Sequence, residues 1–232
     1  MQSISVANLA QIFRRASRIP ALAARGRELN SNDLREYLRR QGVHAKQVFG
    51  DLYSDEPPKA ALTYEWTLSL NEVLDFLNAP QIRECNRNHP GGEQIPADMR
   101  ELTIWMDIFF VDQNSSDMPG QMVMSEGKYS GTLLHLVLGT ATVGTRAWCV
   151  HEVGVRCRAG KRCHLVKSVY HEEDPRFDML AFVSQTDGLF FDSMRATVPG
   201  DLAMIRRRIL ETYGTPDRFD AAVFRMFKAA AW

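Results

Sequence analysis

At 232 residues and 45% hydrophobic content, the chain suits one large domain, or one domain with an extension, and has enough apolar residues for a sizeable core. Lysine plus arginine number 28, and aspartate plus glutamate also number 28. That balance argues against the broad basic surface of a non-specific nucleic-acid binder and leaves room only for a local basic patch, so no nucleic-acid partner is expected. No apolar run approaches the roughly 18 residues of a membrane span, so no membrane partner is expected either.

Ile4, Leu9, Ile12 and Phe13 recur at helical spacing and predict a helix over residues 4–18. Arg14, Arg15, Arg18, Arg25 and Arg27 precede the first acid, Glu28. This is the pattern of a helix with a solvated basic face, or of an organellar transit segment. Ser31-Asn32-Asp33 before Leu34, Tyr37 and Leu38 predicts a second helix, stopped by Gly42. Residues 1–57 therefore read as an N-terminal helical extension, closed by the turn-forming Ser54–Lys59, and 58–232 as the main domain.

From residue 60 strands and helices alternate. Ala60–Trp66 reads as a strand, and Ser69 as the cap of a helix through Leu77. A Pro- and Gly-rich loop follows from Asn86 to Asp98. Thr103–Val111 and Leu133–Leu138 read as apolar strands and Cys149–Arg158 as a helix stopped by Gly160. Arg162–Val169 and Gly188–Phe191 read as strands, and Leu202–Tyr213 and Arg218–Lys228 as closing helices. Such alternation predicts an α/β fold with a parallel sheet flanked by helices.

The four cysteines, Cys85, Cys149, Cys157 and Cys163, have no C-x-x-C spacing. They read as reduced thiols of an intracellular protein, and no metal site is expected. Neither G-x-G-x-x-G nor G-x-x-x-x-G-K-[ST] is present, which argues against a Rossmann dehydrogenase or a P-loop NTPase.

The most informative stretch is Trp148-Cys149-Val150-His151-Glu152, a carboxylate early in a helix that follows a buried strand. Thr140 to Val153, "TATVGTRAWCVHEV", resembles the segment of Toll/interleukin-1 receptor (TIR) domains that ends in W-C-x-x-E. Asp117-Met118-Pro119-Gly120 resembles the Pro-Gly tip of the TIR loop after the second strand. "TIWMDIFFVDQN" resembles that strand, and "KAALTYEWTLSLNEVLDFL" the first strand and helix, with Thr63-Tyr64 where the family usually has Ser-Tyr or Ser-Phe. The resemblance covers roughly Pro58 to Tyr213. It departs from the family before the third strand, where "MVMSEGKYSG" predicts a stub of a helix, and after it, where Thr140-Ala141 stands.

The resemblance implies a flavodoxin-like, TIR-type sheet and a choice between two activities. Some TIR domains are adaptors that act by assembling. Others cleave the nicotinamide–ribosyl bond of NAD⁺, with a glutamate at the position of Glu152. One carboxylate suffices for that reaction. Nicotinamide leaves from a cation as a neutral molecule, so no general acid is needed, unlike in most glycoside hydrolases. A carboxylate near the ribose stabilises the oxocarbenium-like centre. Water then captures C1′, or an internal group captures it to give a cyclic product. NAD⁺ is thus expected as substrate, with no cofactor.

Other residues are expected around the strand ends. Trp66, Tyr64 and Glu65 follow the first strand, and Trp66 is a candidate stacking platform or a packing residue. Asp112 is a candidate ribose ligand or a loop cap, and Thr140 a cleft residue. Arg146 is a candidate phosphate ligand or a solvated side chain. Trp148 reads as core and His151 as a surface histidine. Pro119 and Gly120 are expected to present a turn for self-association. The leading expectation is a cytoplasmic NAD⁺ glycohydrolase in stress or antiviral signalling. Its rivals are a non-catalytic TIR-like adaptor and a nucleoside N-ribosyl hydrolase or transferase on a related sheet.

Overall fold

Leu134–Leu138 is buried at every position, as a parallel strand covered on both faces must be. In the computed structural model, which describes residues 2–82, 95–112, 114–167, 176 and 188–230, it is β4 of a five-stranded sheet. The other strands are β1 (Ile4–Ser5), β2 (Ala60–Thr63), β3 (Thr103–Trp105) and β5 (His164–Val166), in spatial order β1-β3-β2-β4-β5. β2 pairs parallel to β3 with Ala60 opposite Ile104, and β4 parallel to β5 with Leu136 opposite His164. β1 runs antiparallel on the edge, Ile4 opposite Ile104. The sheet is mixed and mostly parallel, and helices flank it. Without β1 the order is the doubly wound arrangement of a flavodoxin-like fold, with its reversal between β2 and β4.

The chain divides into two compact units: Met1–Leu62 with Trp66–Leu134, and Thr63–Glu65 with His135–Trp232. In the first unit, the N-terminal residues supply edge strand β1 before α1 (Val6–Ala16) starts, with Ser5 capping it through Asn8 N–H. The helix buries Leu9, Ile12, Phe13 and Ala16 and leaves Arg14 and Arg15 outside. α2 (Pro20–Ala23), α3 (Ser31–Gln41) and α4 (Ala45–Phe49) follow. Asn30 and Asp33 close a capping box on α3, and Gly42 ends it at φ 63°. α5 (Leu70–Leu77) carries the expected Ser69 cap, completed by Glu72.

The strand expected over Thr103–Val111 is shorter. It ends at Trp105, and α6 (Asp107–Phe110) follows, its first turn tied by Asp107 Oδ1 accepting from Ile108 N–H at 2.8 Å. A short apolar run does not distinguish strand from buried helix. The stub expected before β4 is instead a 14-residue helix, α7 (Met118–Gly131). Asp117 caps it by accepting from Gly120 N–H at 3.0 Å, and Pro119 lies in its first turn, where its missing N–H costs nothing. Pro119 and Gly120 are therefore exposed helix-start residues rather than a loop tip. Tyr129 of α7 packs edge-on against Trp105 at 5.2 Å and donates its hydroxyl to Leu62 O at 3.1 Å.

In the second unit, α8 (Ala147–Arg158) is buried on most sides and ends before Gly160, at φ 66°. It packs against α10 (Pro199–Tyr213) and α11 (Pro216–Ala230). Contact at Gly154 is close enough that a Cβ there would stand 2.6 Å from Phe219 Cε2. The strand expected over Gly188–Phe191 is not formed: Phe190–Ser193 is a short helix, α9. The Asp220 carboxylate of α11 accepts from Phe191 N–H at 2.8 Å and holds it. Ser168 and Val169 of the expected strand, the Asn86–Asp98 loop up to residue 94, and Cys85 lie outside the described residues. Among the described residues, no helix is long and apolar enough to cross a membrane.

Candidate active site

In open α/β sheets ligands bind beyond the carboxyl ends of the strands where the strand order reverses. Here that point is the end of β2 and the end of β4. The second unit holds both: Thr63–Glu65 leave β2, and Gly139–Thr142 leave β4.

Glu152 lies in the second turn of α8 and is only 8% exposed. Its Oε2 accepts from Thr63 Oγ1 at 2.5 Å, within the range of a charge-assisted hydroxyl–carboxylate bond. Thr63 Oγ1 is also 2.7 Å from His135 Nε2, and His135 Nδ1 is 3.4 Å from Cys163 Sγ. Thr63 and His135 are fully buried. Burial pushes the His135 pKa well below the ordinary value, and the nearby Arg156 and His164 push the same way, so the imidazole is neutral. Burial raises the Cys163 pKa well above that of a free thiol, so its proton stays on. Arg156, 2% exposed, is anchored by donating from Nε to Arg162 O at 3.0 Å.

A second carboxylate occupies the same strand ends. Glu65 Oε1 accepts from Thr140 Oγ1 at 2.7 Å and from the Thr142 hydroxyl. These bonds tie the loop after β4 to the chain leaving β2. Among the described residues no three His, Cys, Asp or Glu side chains gather to hold a metal ion.

The expected site residues divide between the units. Glu152, Tyr64, Thr140 and Arg146 belong to the second, and Trp66, Asp112, Pro119 and Gly120 to the first. Tyr64 is buried, and its carbonyl accepts from the Cys149 thiol at 3.4 Å. Arg146 donates to Thr197 Oγ1 at 3.3 Å. The Trp66 indole donates to Asp107 Oδ2 at 2.9 Å, and the Arg35 guanidinium lies over its ring at 5.2 Å. Asp112 caps its own loop, accepting from Asn114 N–H at 2.9 Å.

Two residues of the W-C-x-x-E segment differ from expectation. Trp148 is half-buried rather than core, and its indole donates to Asp201 Oδ2 at 3.1 Å. His151, expected at the surface, is 5% exposed, on a helix that packs against α10 and α11. Sequence reasoning missed the partners of Glu152 altogether. Thr63 marks only a family position, and His135 lies inside an apolar strand. A lone imidazole in such a run was the available signal, since a buried titratable group needs a partner.

No family model matches the chain, and neither curated proteins nor solved structures include a match to it.

Proposed function

We propose that the chain is a TIR-like NAD⁺ glycohydrolase with Glu152 as its catalytic carboxylate. The observation that supports this reading is a buried Glu152 held by a strand-end hydroxyl at the switch point of a flavodoxin-like sheet. Low exposure strengthens the attraction between a carboxylate and a developing ribosyl cation. In the reaction the C1′–N bond breaks and its electron pair stays on the nicotinamide nitrogen, neutralising the pyridinium. Glu152 stabilises the ribosyl cation, and water adds to C1′ and loses a proton to solvent. NAD⁺ is the substrate, and no other cofactor is required. The TIR resemblance extends the proposal to self-association and to a cytoplasmic role in stress or antiviral signalling.

The test is to incubate the purified chain with NAD⁺ and, separately, with purine and pyrimidine nucleosides, and to identify products by mass. Release of nicotinamide from NAD⁺ alone, absent in Glu152→Gln, is the expected result. Cleavage of nucleosides with NAD⁺ spared assigns the chain to nucleoside N-ribosyl chemistry. Turnover of neither, with concentration-dependent assembly in light scattering, assigns it to the adaptors.

A further inference from the structure

The hydroxyl of Thr63 carries one proton and faces two partners. An ionised Glu152 accepts only, so that proton goes to Glu152 Oε2, 2.5 Å away. Thr63 Oγ1 must then accept from His135 Nε2 at 2.7 Å. A neutral imidazole with its proton on Nε2 has a bare Nδ1, which accepts from the Cys163 thiol at 3.4 Å. Every proton from Cys163 to Glu152 is thereby placed, and the bonds all point one way. Protonating Glu152 reverses the order: the acid donates to Thr63, Thr63 to Nε2, and Nδ1–H to the sulfur. The imidazole tautomer therefore reports the charge on Glu152.

We propose that Thr63 and His135 are positioning residues for Glu152, linked with Cys163 in a one-way hydrogen-bond relay that holds the carboxylate in one orientation. This rests on the reading of Glu152 as the catalytic carboxylate. Cys163 acts only as the terminal donor, because burial keeps it a protonated thiol. A preorganised carboxylate does not have to reorient as the ribosyl cation forms, and small misplacement of a reacting group is costly.

Two measurements test the relay. In ¹⁵N-labelled wild type, long-range ¹H–¹⁵N correlations assign the His135 ring nitrogens, with His135→Gln identifying the signals. A protonated Nε2 and a bare Nδ1 are expected near neutral pH. The opposite tautomer, or a cationic ring, overturns the relay whether or not the protein turns over any substrate.

Kinetics then compare Thr63→Val, which keeps the shape without the hydroxyl, with Thr63→Ser, which keeps the hydroxyl. Per folded molecule, kcat of Thr63→Val should fall about 10- to 100-fold with KM little changed, and Thr63→Ser should restore it to within about threefold. Equal kcat in wild type and Thr63→Val overturns the positioning role and leaves the glutamate chemistry standing. A wild type inactive on NAD⁺ and on nucleosides overturns the catalytic reading itself, and the positioning role with it.

Discussion

Thr63 and Glu152 stand 89 positions apart in the chain, yet the hydroxyl of one donates to the carboxylate of the other at 2.5 Å. Thr63 reaches it as the last residue of β2, and Glu152 from the second turn of α8. A hydroxyl at the strand end thus fixes a carboxylate on the helix that follows β4.

Glu152→Gln tests the charge on that carboxylate without changing its shape. The amide oxygen still accepts from Thr63, so the fold should persist. Stabilisation of a cationic centre is lost, and removing one preorganised electrostatic group typically costs about 10²–10³ in rate. NAD⁺ cleavage measured by nicotinamide release should fall by that factor at an unchanged melting temperature. Turnover within about threefold of wild type would remove Glu152 from the chemistry.

His135 predicts a pH dependence of stability. Its folded pKa lies well below the ordinary 6.5. The unfolded chain therefore binds a proton that the folded one resists. Stability from this group is present above the unfolded pKa and is lost progressively as pH falls below it, by up to ~1.4 kcal/mol per pH unit. Urea unfolding between about pH 7.5 and about pH 5.5 should show wild type losing more stability than His135→Gln. Parallel profiles for the two proteins are the contrary result.

Local signals are legible in the sequence where one segment decides its own structure. Ser69 with Glu72 caps α5, Gly42 and Gly160 end their helices at positive φ, and Leu134–Leu138 is a buried strand. Segments decided by distant partners are not legible. Phe190–Ser193 is helical with Asp220 holding its backbone, and Thr103–Val111 breaks at Asp107, whose Oδ2 accepts from the distant Trp66 indole. For the candidate site, the motif places Glu152 early in a helix after a buried strand, where the structure has it. Its partners Thr63 and His135 are brought to it by the sheet, across separations that no local pattern spans.

The start of α7 yields a prediction about Pro119 and Gly120. Asp117 caps the helix through Gly120 N–H, and a Cβ on Gly120 would lie 2.7 Å from Asp117 Cγ. Asp117→Ala should cost about 1 kcal/mol, the usual value of an N-cap. Gly120→Ala should cost a comparable amount by displacing the same carboxylate. Thermal unfolding of both variants checks this, and an Asp117→Ala protein as stable as wild type contradicts the capping role. If this segment also serves self-association, specific activity should fall on roughly hundredfold dilution.

Gly154 gives the last prediction. In an ordinary helix interior, Gly→Ala stabilises by up to about 1 kcal/mol. Here the new methyl group would meet Phe219 Cε2 at 2.6 Å, and the Phe219 ring is fully buried. Retreat is hindered on two sides. Tyr213 donates to Gly154 O at 2.6 Å and packs edge-on against Phe219 at 5.3 Å. Overpacking of this kind typically costs about 1–3 kcal/mol, so the clash should outweigh the helix preference. Gly154→Ala should therefore lower the urea midpoint. Adding Phe219→Leu makes room for the methyl group, so the double variant should be more stable than the two single losses predict when summed. A Gly154→Ala protein more stable than wild type would show that α8 and α11 have space to separate at this point.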